Sequence, residues 1–343
     1  MIKVRLNVER HPTTLAGSTF MKTRTLFFRT VTVSFLAAAA FGPTRAQADD
    51  APRASEATGK CMMWKVSSKT ATVYLLGSMH MATPEMFPLP KEMEEAFDKS
   101  DTLVVEININ KMDQAKMLQL AQDKGMYKGA DTLSGTIKPE TLQQLKAACD
   151  KIGFPEVALD KYKPWLVGVT LEVLQIQKLG FDPTLGVDKH FLDLADKKGK
   201  KIDELESADF QLDLLSGFDP KMQEASLVLT LAELKDLKDD MTKLTDAWTA
   251  GDAKAMDELM TSKEKDHPET KEVSQKLIYD RNGPMAEKVE GYLKGDKTVL
   301  VIAGCAHMVG DKGIIKTLQN DKFTVEQSPA TRPAKAEKQP AHE

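Results

Sequence analysis

Cysteine is scarce in this chain: Cys61, Cys149 and Cys305 are the only three in 343 residues, and no C-x-x-C or zinc-type spacing joins them. A disulfide-built fold is thereby excluded, and an odd number leaves at least one thiol free or intermolecular. Cys61 follows Gly59-Lys60, which is not a lipid-attachment context. Excess positive charge is also lacking. The formal net charge is −4, which disfavours nucleic acid as a partner, since phosphate binding needs a basic face. No H-E-x-x-H, G-x-S-x-G or G-x-x-x-x-G-K-[ST] pattern occurs, so a standard zincin, a serine-elbow hydrolase and a P-loop enzyme are set aside.

The apolar run Val31 to Phe41 is shorter than the roughly 20 residues that span a bilayer, so no stable transmembrane anchor is expected. It fits a secretory signal instead. Met21 is followed by Lys22, Arg24 and Arg29, then the apolar run, then Ala46-Gln47-Ala48, which is an A-x-A cleavage site. The expectation is a signal over residues 1–48, a true start at Met21, cleavage after Ala48, and a periplasmic or secreted product. Removing residues 1–48 takes seven basic and one acidic residue, so 47 − 7 = 40 stands against 51 − 1 = 50 and the charge falls to −10.

Residues 49–327 can bury one large core, given roughly 150 residues per domain as a prior. Residues 49–60 are small and polar and are expected to form a flexible lead. Residues 61–66 and 72–77 read as strands around a Ser67-Ser68-Lys69-Thr70 turn, a hairpin. A proline-rich loop and a helix over 91–99 lead to a third strand over 103–107, a β-α-β arrangement. Apolar spacing of three and four residues predicts helices from Lys111 to about Ala148 and from Pro164 to Leu179, then from Gly186 to Lys198. A short strand over 201–205 follows. Residues 209–293 read as a helical block, residues 298–304 as the last long strand, 312–319 as a helix, and 323–326 as an edge strand. Strands at both ends of the chain with helices between them predict a single α/β domain, with a central mixed β-sheet flanked by helices. Residues 328–343, rich in Pro, Ala, Lys and Glu, are expected to be a disordered tail.

Two segments of the chain match residue class by residue class: Leu75-Leu76-Gly77-Ser78-Met79-His80-Met81 and Val301-Ile302-Ala303-Gly304-Cys305-Ala306-His307-Met308. Each closes an apolar strand with a Gly-x-x-His element. Glycine there lets the backbone turn sharply, and the three-residue offset folds the imidazole over the sheet edge, where open α/β sheets bind ligands. Glu106 ends the third strand. Two imidazoles and a carboxylate match the ligand set of a catalytic divalent zinc, manganese or cobalt ion. The residues equally allow a metal-free site in which His80 or His307 is a general base oriented by Glu106. Arg281-Asn282, between Leu277-Ile278-Tyr279 and Gly283-Pro284, could hold a substrate carboxylate, steady an oxyanion or form a surface ion pair. His190 and His267 are read as helix surface and solvated loop. Cys305 reads as a small buried side chain, and Met79, Met81 and Met86 as core filling rather than copper ligands.

These residues resemble the TraB/GumN family, which is similar to the TIKI metalloproteases and more distantly to the erythromycin-esterase (EreA) and ChaN-like heme-binding proteins. The resemblance runs through Gly77-Ser78-Met79-His80, Glu106, Pro164-Trp165, Gly186-Val187-Asp188, Leu205-Glu206 with Gln211, Arg281-Asn282, and Gly304-Cys305-Ala306-His307 with Gly313-Ile314. It implies an EreA/ChaN-like α/β fold and a site of His80, Glu106, Arg281 and His307, supported by Gly77, Gly304, Asp188, Glu206 and Asn282. It further implies metal-dependent hydrolysis, most simply of a peptide, with His80, Glu106 and His307 as ligands. A small-molecule substrate, a metal-independent esterase, and a non-enzymatic binder of peptide or heme are the alternatives. Cys305 stands where the family pattern leads one to expect an alanine-like residue.

Overall fold

The computed structural model describes residues 57–261 and 270–332. The expected signal, its cleavage site and His267 lie outside the described residues. Six strands form one mixed sheet: β1 (Ala57–Ser67), β2 (Thr72–Ser78), β3 (Thr102–Val105), β4 (Lys201–Glu204), β5 (Thr298–Gly304) and β6 (Val325–Arg332), in the spatial order β4-β3-β5-β2-β1-β6. Strands β4, β3, β5 and β2 run parallel, and β1 and β6 add an antiparallel edge. The fold is α/β, as expected.

The expected β-α-β arrangement of β2, the helix over 91–99 and β3 is present, and it leaves open whether β2 and β3 are neighbours. They are not, because β5 inserts between them and pairs with both, Leu75 opposite Val301 and Val104 opposite Val301. The reason lies in composition. Thr298-Val299-Leu300-Val301-Ile302-Ala303-Gly304 is apolar at nearly every position and buried on both faces, which is the pattern of a central parallel strand.

Two expectations at the sheet edge are corrected. The lead over 49–60 is strand from Ala57 onward, and the tail expected from 328 is strand as far as Arg332, where Ala57–Lys60 pair with Pro329–Arg332 beyond an irregularity near Lys60. Backbone pairing supplies the order that the side chains lack. Pro329 is tolerated because β6 is an edge strand, and Glu92 accepts hydrogen bonds from the Thr331 N–H and hydroxyl, at 2.7 and 2.6 Å.

Helices α1 (Lys91–Lys99), α2 (Gln114–Gly125), α3 (Pro139–Ile152), α4 (Pro164–Lys178) and α5 (Val187–Lys198) surround the sheet; α6 (Ala208–Ser216), α7 (Pro220–Glu233), α8 (Leu237–Ala250) and α9 (Ala253–Thr261) follow. After the gap, the π-turn Gln275–Tyr279 runs straight into α10 (Asp280–Leu293), and α11 (Ile314–Asn320) precedes β6. Their starts follow local chemistry. Asp113, Ser207 and Asp219 cap α2, α6 and α7 by accepting from backbone N–H groups, and proline opens α3, α4 and α7, where its missing N–H costs nothing. Among the described residues, no helix is long and apolar enough to cross a membrane.

A hydrogen bond inside the core ties the helical span to the sheet. Buried Trp248 on α8 donates its indole N–H to the Gly77 carbonyl at 2.8 Å, so the end of β2 is held by a helix far away in sequence.

Candidate active site

Parallel alignment of β2, β3 and β5 brings the segments after Gly77, Val105 and Gly304 to one edge of the sheet. Close packing makes the two Gly-x-x-His turns possible. A Cβ on Gly77 would stand 3.0 Å from the Cys305 thiol, and one on Gly186 would stand 2.4 Å from the His80 carbonyl oxygen. Gly186 is the N-cap of α5, and the Val187 N–H donates to the Met79 carbonyl at 3.0 Å. Helix α5 is thus locked to the first histidine turn, with Asp188 facing His80.

Glu106 occupies the centre of the site and is buried. Its Oε1 accepts the Gly304 N–H at 2.6 Å, and its Oε2 accepts from Arg281 Nη2 at 3.0 Å and Gln211 Nε2 at 3.3 Å. Burial alone would raise its pKa, yet the neighbouring imidazoles and the Arg281 guanidinium hold it well below the usual carboxylate range. Glu106 is an anion whose acceptor positions are largely in use.

Arg281 is buried, not a surface ion pair. Its Nε donates to both Glu206 oxygens at 2.9 and 3.1 Å, its Nη2 to Glu206 Oε2 at 2.6 Å and to Glu106, and its Nη1 to the Leu277 carbonyl at 2.7 Å. The Leu277 carbonyl lies in the π-turn, a distortion that recurs at functional positions. The fork is spent on two carboxylates and one carbonyl, so Arg281 fixes Glu106 rather than reaching out for a substrate carboxylate.

The two histidines have opposite surroundings. His80 lies between two carboxylates, its Nδ1 3.0 Å from Asp188 Oδ1 but off the line of a hydrogen bond, and its Nε2 3.6 Å from Glu106 Oε1. Burial penalises its charge, but Asp188 and Glu106 outweigh that and push its pKa up to about 10. His307 is fully buried, and its Nε2 lies 3.9 Å from Glu106 Oε2 without a hydrogen-bond partner. Burial, with the Arg281 cation nearby, pushes its pKa down to about 3. At neutral pH one imidazole is charged and the other is not.

Asn282 decides which nitrogen of His307 carries the proton. Its Nδ2 donates to the Lys312 carbonyl at 2.8 Å, so its Oδ1 is the end that meets His307 Nδ1, at 2.6 Å. A carbonyl oxygen can only accept. His307 is therefore the Nδ1–H tautomer, with a bare lone pair on Nε2.

The divalent ion expected from the sequence finds no ready ligand set. Among the described residues, no group of three or more His, Cys, Asp or Glu side chains is placed to hold a metal ion. The cause is local, since the oxygens of Glu106 are engaged by a guanidinium and two further N–H donors, and a cation beside that carboxylate opposes a second one. The unpartnered ring nitrogens of His80, Nε2 of His307 and Oδ1 of Asp188 point the other way.

The remaining residues fall into place around this centre. His190 pairs with Glu94 Oε1 at 2.8 Å and packs against Phe87 and Phe191, as a partly buried structural residue. Burial pushes the Cys305 thiol well above its ordinary range, which keeps it neutral. Gln211, which also donates to Glu206 at 2.8 Å, joins the two glutamates. Sequence reasoning missed Trp248 altogether, because a lone tryptophan in an amphipathic helix gives no local sign of a long-range hydrogen bond. Gly186 was legible only as part of a motif, although its close approach to His80 is the physical reason for a glycine.

The model of the TraB/PrgY/gumN family matches residues 62–327 of this chain, well over half of it. The chain belongs to the TraB/PrgY/gumN family. The match covers every residue of the site. Among curated proteins, this family member is similar to the uncharacterized protein YbaP of Escherichia coli (strain K12), with 28% identity over 41% of this chain and 51% of the relative. An uncharacterized protein of Treponema pallidum (strain Nichols) is 23% identical over 58% of this chain and 60% of its own length. The chain thus spans about half the length of the first of these relatives. No solved structure matches.

Proposed function

We propose that this TraB/PrgY/gumN family member is an exported hydrolase that adds water to the carbonyl of a peptide or small-molecule amide or ester. The observation that carries the reading is the bare, buried Nε2 lone pair of His307, facing a shared anion across from a charged His80. His307 Nε2 takes a proton from water as its oxygen bonds to the substrate carbonyl carbon. The His80 imidazolium faces the negative charge that develops on the carbonyl oxygen and delivers its Nε2 proton to the leaving nitrogen or oxygen as the carbon–heteroatom bond breaks. His307 then carries one extra proton and His80 lacks one, and exchange with water restores both. Glu106, fixed by Arg281, Gln211 and the Gly304 N–H, joins Asp188 in stabilising His80 as a cation, while Asn282 orients the His307 ring. Pairs of titratable groups driven apart by their surroundings mark acid and base roles. Export rests on the Met21–Ala48 pattern.

A panel of peptides and esters, incubated with the purified protein with and without chelator and read by mass spectrometry, tests the reading. Hydrolysis should survive chelation and fall by roughly 10²- to 10⁴-fold in His307→Gln, the usual range for loss of a general base. Hydrolysis that appears only with added divalent metal would instead favour the metal reading, with His80, Glu106 and His307 as ligands. A heme absorbance band that vanishes in either histidine variant, with no hydrolysis, would favour a binder.

A further inference from the structure

A small cavity of about 40 Å³ opens beside His80, and one wall of it consists of the two histidine turns themselves, through Ser78, Gly304, Cys305 and Ala306. The rest of the lining comes largely from the helical span. Met241 and Leu244 on α8 and Met256 and Met260 on α9 complete it, with Met79 and Met81 beside His80. Five of the lining residues are thus methionines. Thioether side chains are unbranched and polarizable, so such a wall adapts to the shape of an apolar guest.

Ser78 and His80 bring the oxygen and nitrogen side-chain atoms of the lining. Ser78 is buried and its hydroxyl has no hydrogen-bond partner, and the nitrogens of His80 are likewise without one. A buried hydroxyl normally has a partner. A guest that packs an apolar group against the methionines and offers a polar group to Ser78 would satisfy both parts of the lining.

We infer that this methionine-walled cavity is the side-chain subsite of the hydrolase, taking a small aliphatic side chain next to the bond that is broken while Ser78 hydrogen-bonds the adjoining amide or ester group. The inference rests on the proposed hydrolysis for its second half. The volume sets the size limit. About 40 Å³ holds on the order of three water-sized groups, which suits side chains from alanine to valine or leucine and excludes an indole. His80 is the one charged side chain of the lining, and its charge is already met by Asp188 and Glu106, so the desolvation of an acidic or basic guest is left without a free counter-charge. The site therefore selects by size and polarity together.

Two measurements test it, the second of them independent of hydrolysis. In the first, peptides that vary one residue at a time are cleaved by the exported protein. Aliphatic residues should exceed Asp, Lys and Trp by on the order of 10-fold or more in kcat/KM, the scale of discrimination in apolar pockets. Met256→Ala should shift that preference towards Phe. In the second, the protein is labelled with ¹³C at its methionine methyl groups and titrated with N-acetyl-valinamide and N-acetyl-aspartamide. The signals of Met79, Met81, Met241, Met256 and Met260, assigned by single Met→Leu variants, should move with the first probe and not with the second. Movement of those signals without cleavage of any peptide would sustain the cavity and overturn the hydrolase. Cleavage without side-chain preference, and with those signals unmoved by either probe, would overturn the subsite and leave the hydrolase standing. Neither cleavage nor movement would overturn both.

Discussion

His307 Nδ1 lies 2.6 Å from Asn282 Oδ1, and the other end of the same amide is anchored on the Lys312 carbonyl at 2.8 Å. One amide therefore fixes both the orientation and the tautomer of the buried imidazole. Asn282→Ala should release it. The ¹⁵N signals of the His307 ring should change from a single Nδ1–H form to a mixture, and hydrolysis should fall by roughly 10- to 100-fold, a typical cost of losing an orienting partner. Asn282→Asp places an anion against Nδ1–H and should raise the His307 pKa in an NMR titration. An unchanged tautomer in Asn282→Ala would sink the assignment.

The opposed pKa values of the two histidines predict an unusual pH profile. The working form has His307 neutral, above about 3, and His80 protonated, below about 10. The kcat/KM profile should therefore be flat through pH 6.5, the ordinary histidine value. A limb centred near 6.5 contradicts the assignment.

Stability should follow the same groups with opposite signs. His80 is raised in the folded state, so its contribution is full below pH 6.5 and is lost as pH rises through about 10. His307 is depressed, so its contribution is present above pH 6.5 and is lost as pH falls towards about 3. Urea unfolding at intervals across this range should show stability declining at both ends. His307→Gln should remove part of the acid-side decline, and His80→Gln part of the alkaline-side decline.

Arg281 bridges Glu106 and Glu206 in the protein interior. Arg281→Ala leaves two buried carboxylates without their cation and should cost about 3–5 kcal/mol of stability. A double-mutant cycle with Glu206→Gln should return a coupling energy of about 0.5–3 kcal/mol, as expected within one network. Additive effects would contradict the shared network.

Two glycines at the site should respond unequally to a methyl group. At Gly186 the new Cβ would meet the His80 carbonyl oxygen at 2.4 Å, which is backbone and cannot rotate away. At Gly77 it would meet the Cys305 thiol at 3.0 Å. Gly186→Ala should cost the more, within the roughly 1–3 kcal/mol of overpacking, and should displace His80 with loss of hydrolysis. Thermal unfolding and activity of the pair check the order.

Much of this site was legible before any fold was known. The paired Gly-x-x-His elements and Glu106 each follow an apolar strand, and strand ends in α/β sheets collect chemistry, so His80, Glu106 and His307 could be named from local pattern alone. Arg281 and Asn282 could be named too, but the roles open to the arginine, a substrate fork, an oxyanion partner or a surface ion pair, did not include a buried bridge between Glu106 and Glu206. An arginine looks the same in sequence whether its fork meets solvent, substrate or two buried carboxylates. The helix and strand identities came from periodicity, while the edge strand to Arg332 did not, because its order comes from a partner strand and not from its own side chains.

The sequence by itself determined most of the strands and helices, the family signature and the identity of the polar residues, since these depend on neighbours a few positions apart. Tertiary structure alone decided that β5 lies between β2 and β3, that Trp248 holds Gly77, and that methionines from α8 and α9 wall the cavity beside His80. It also decided the charge states. Burial and the residues that meet across the sheet edge drive two chemically identical imidazoles to opposite protonation, and nothing within three residues of either one records which will be which.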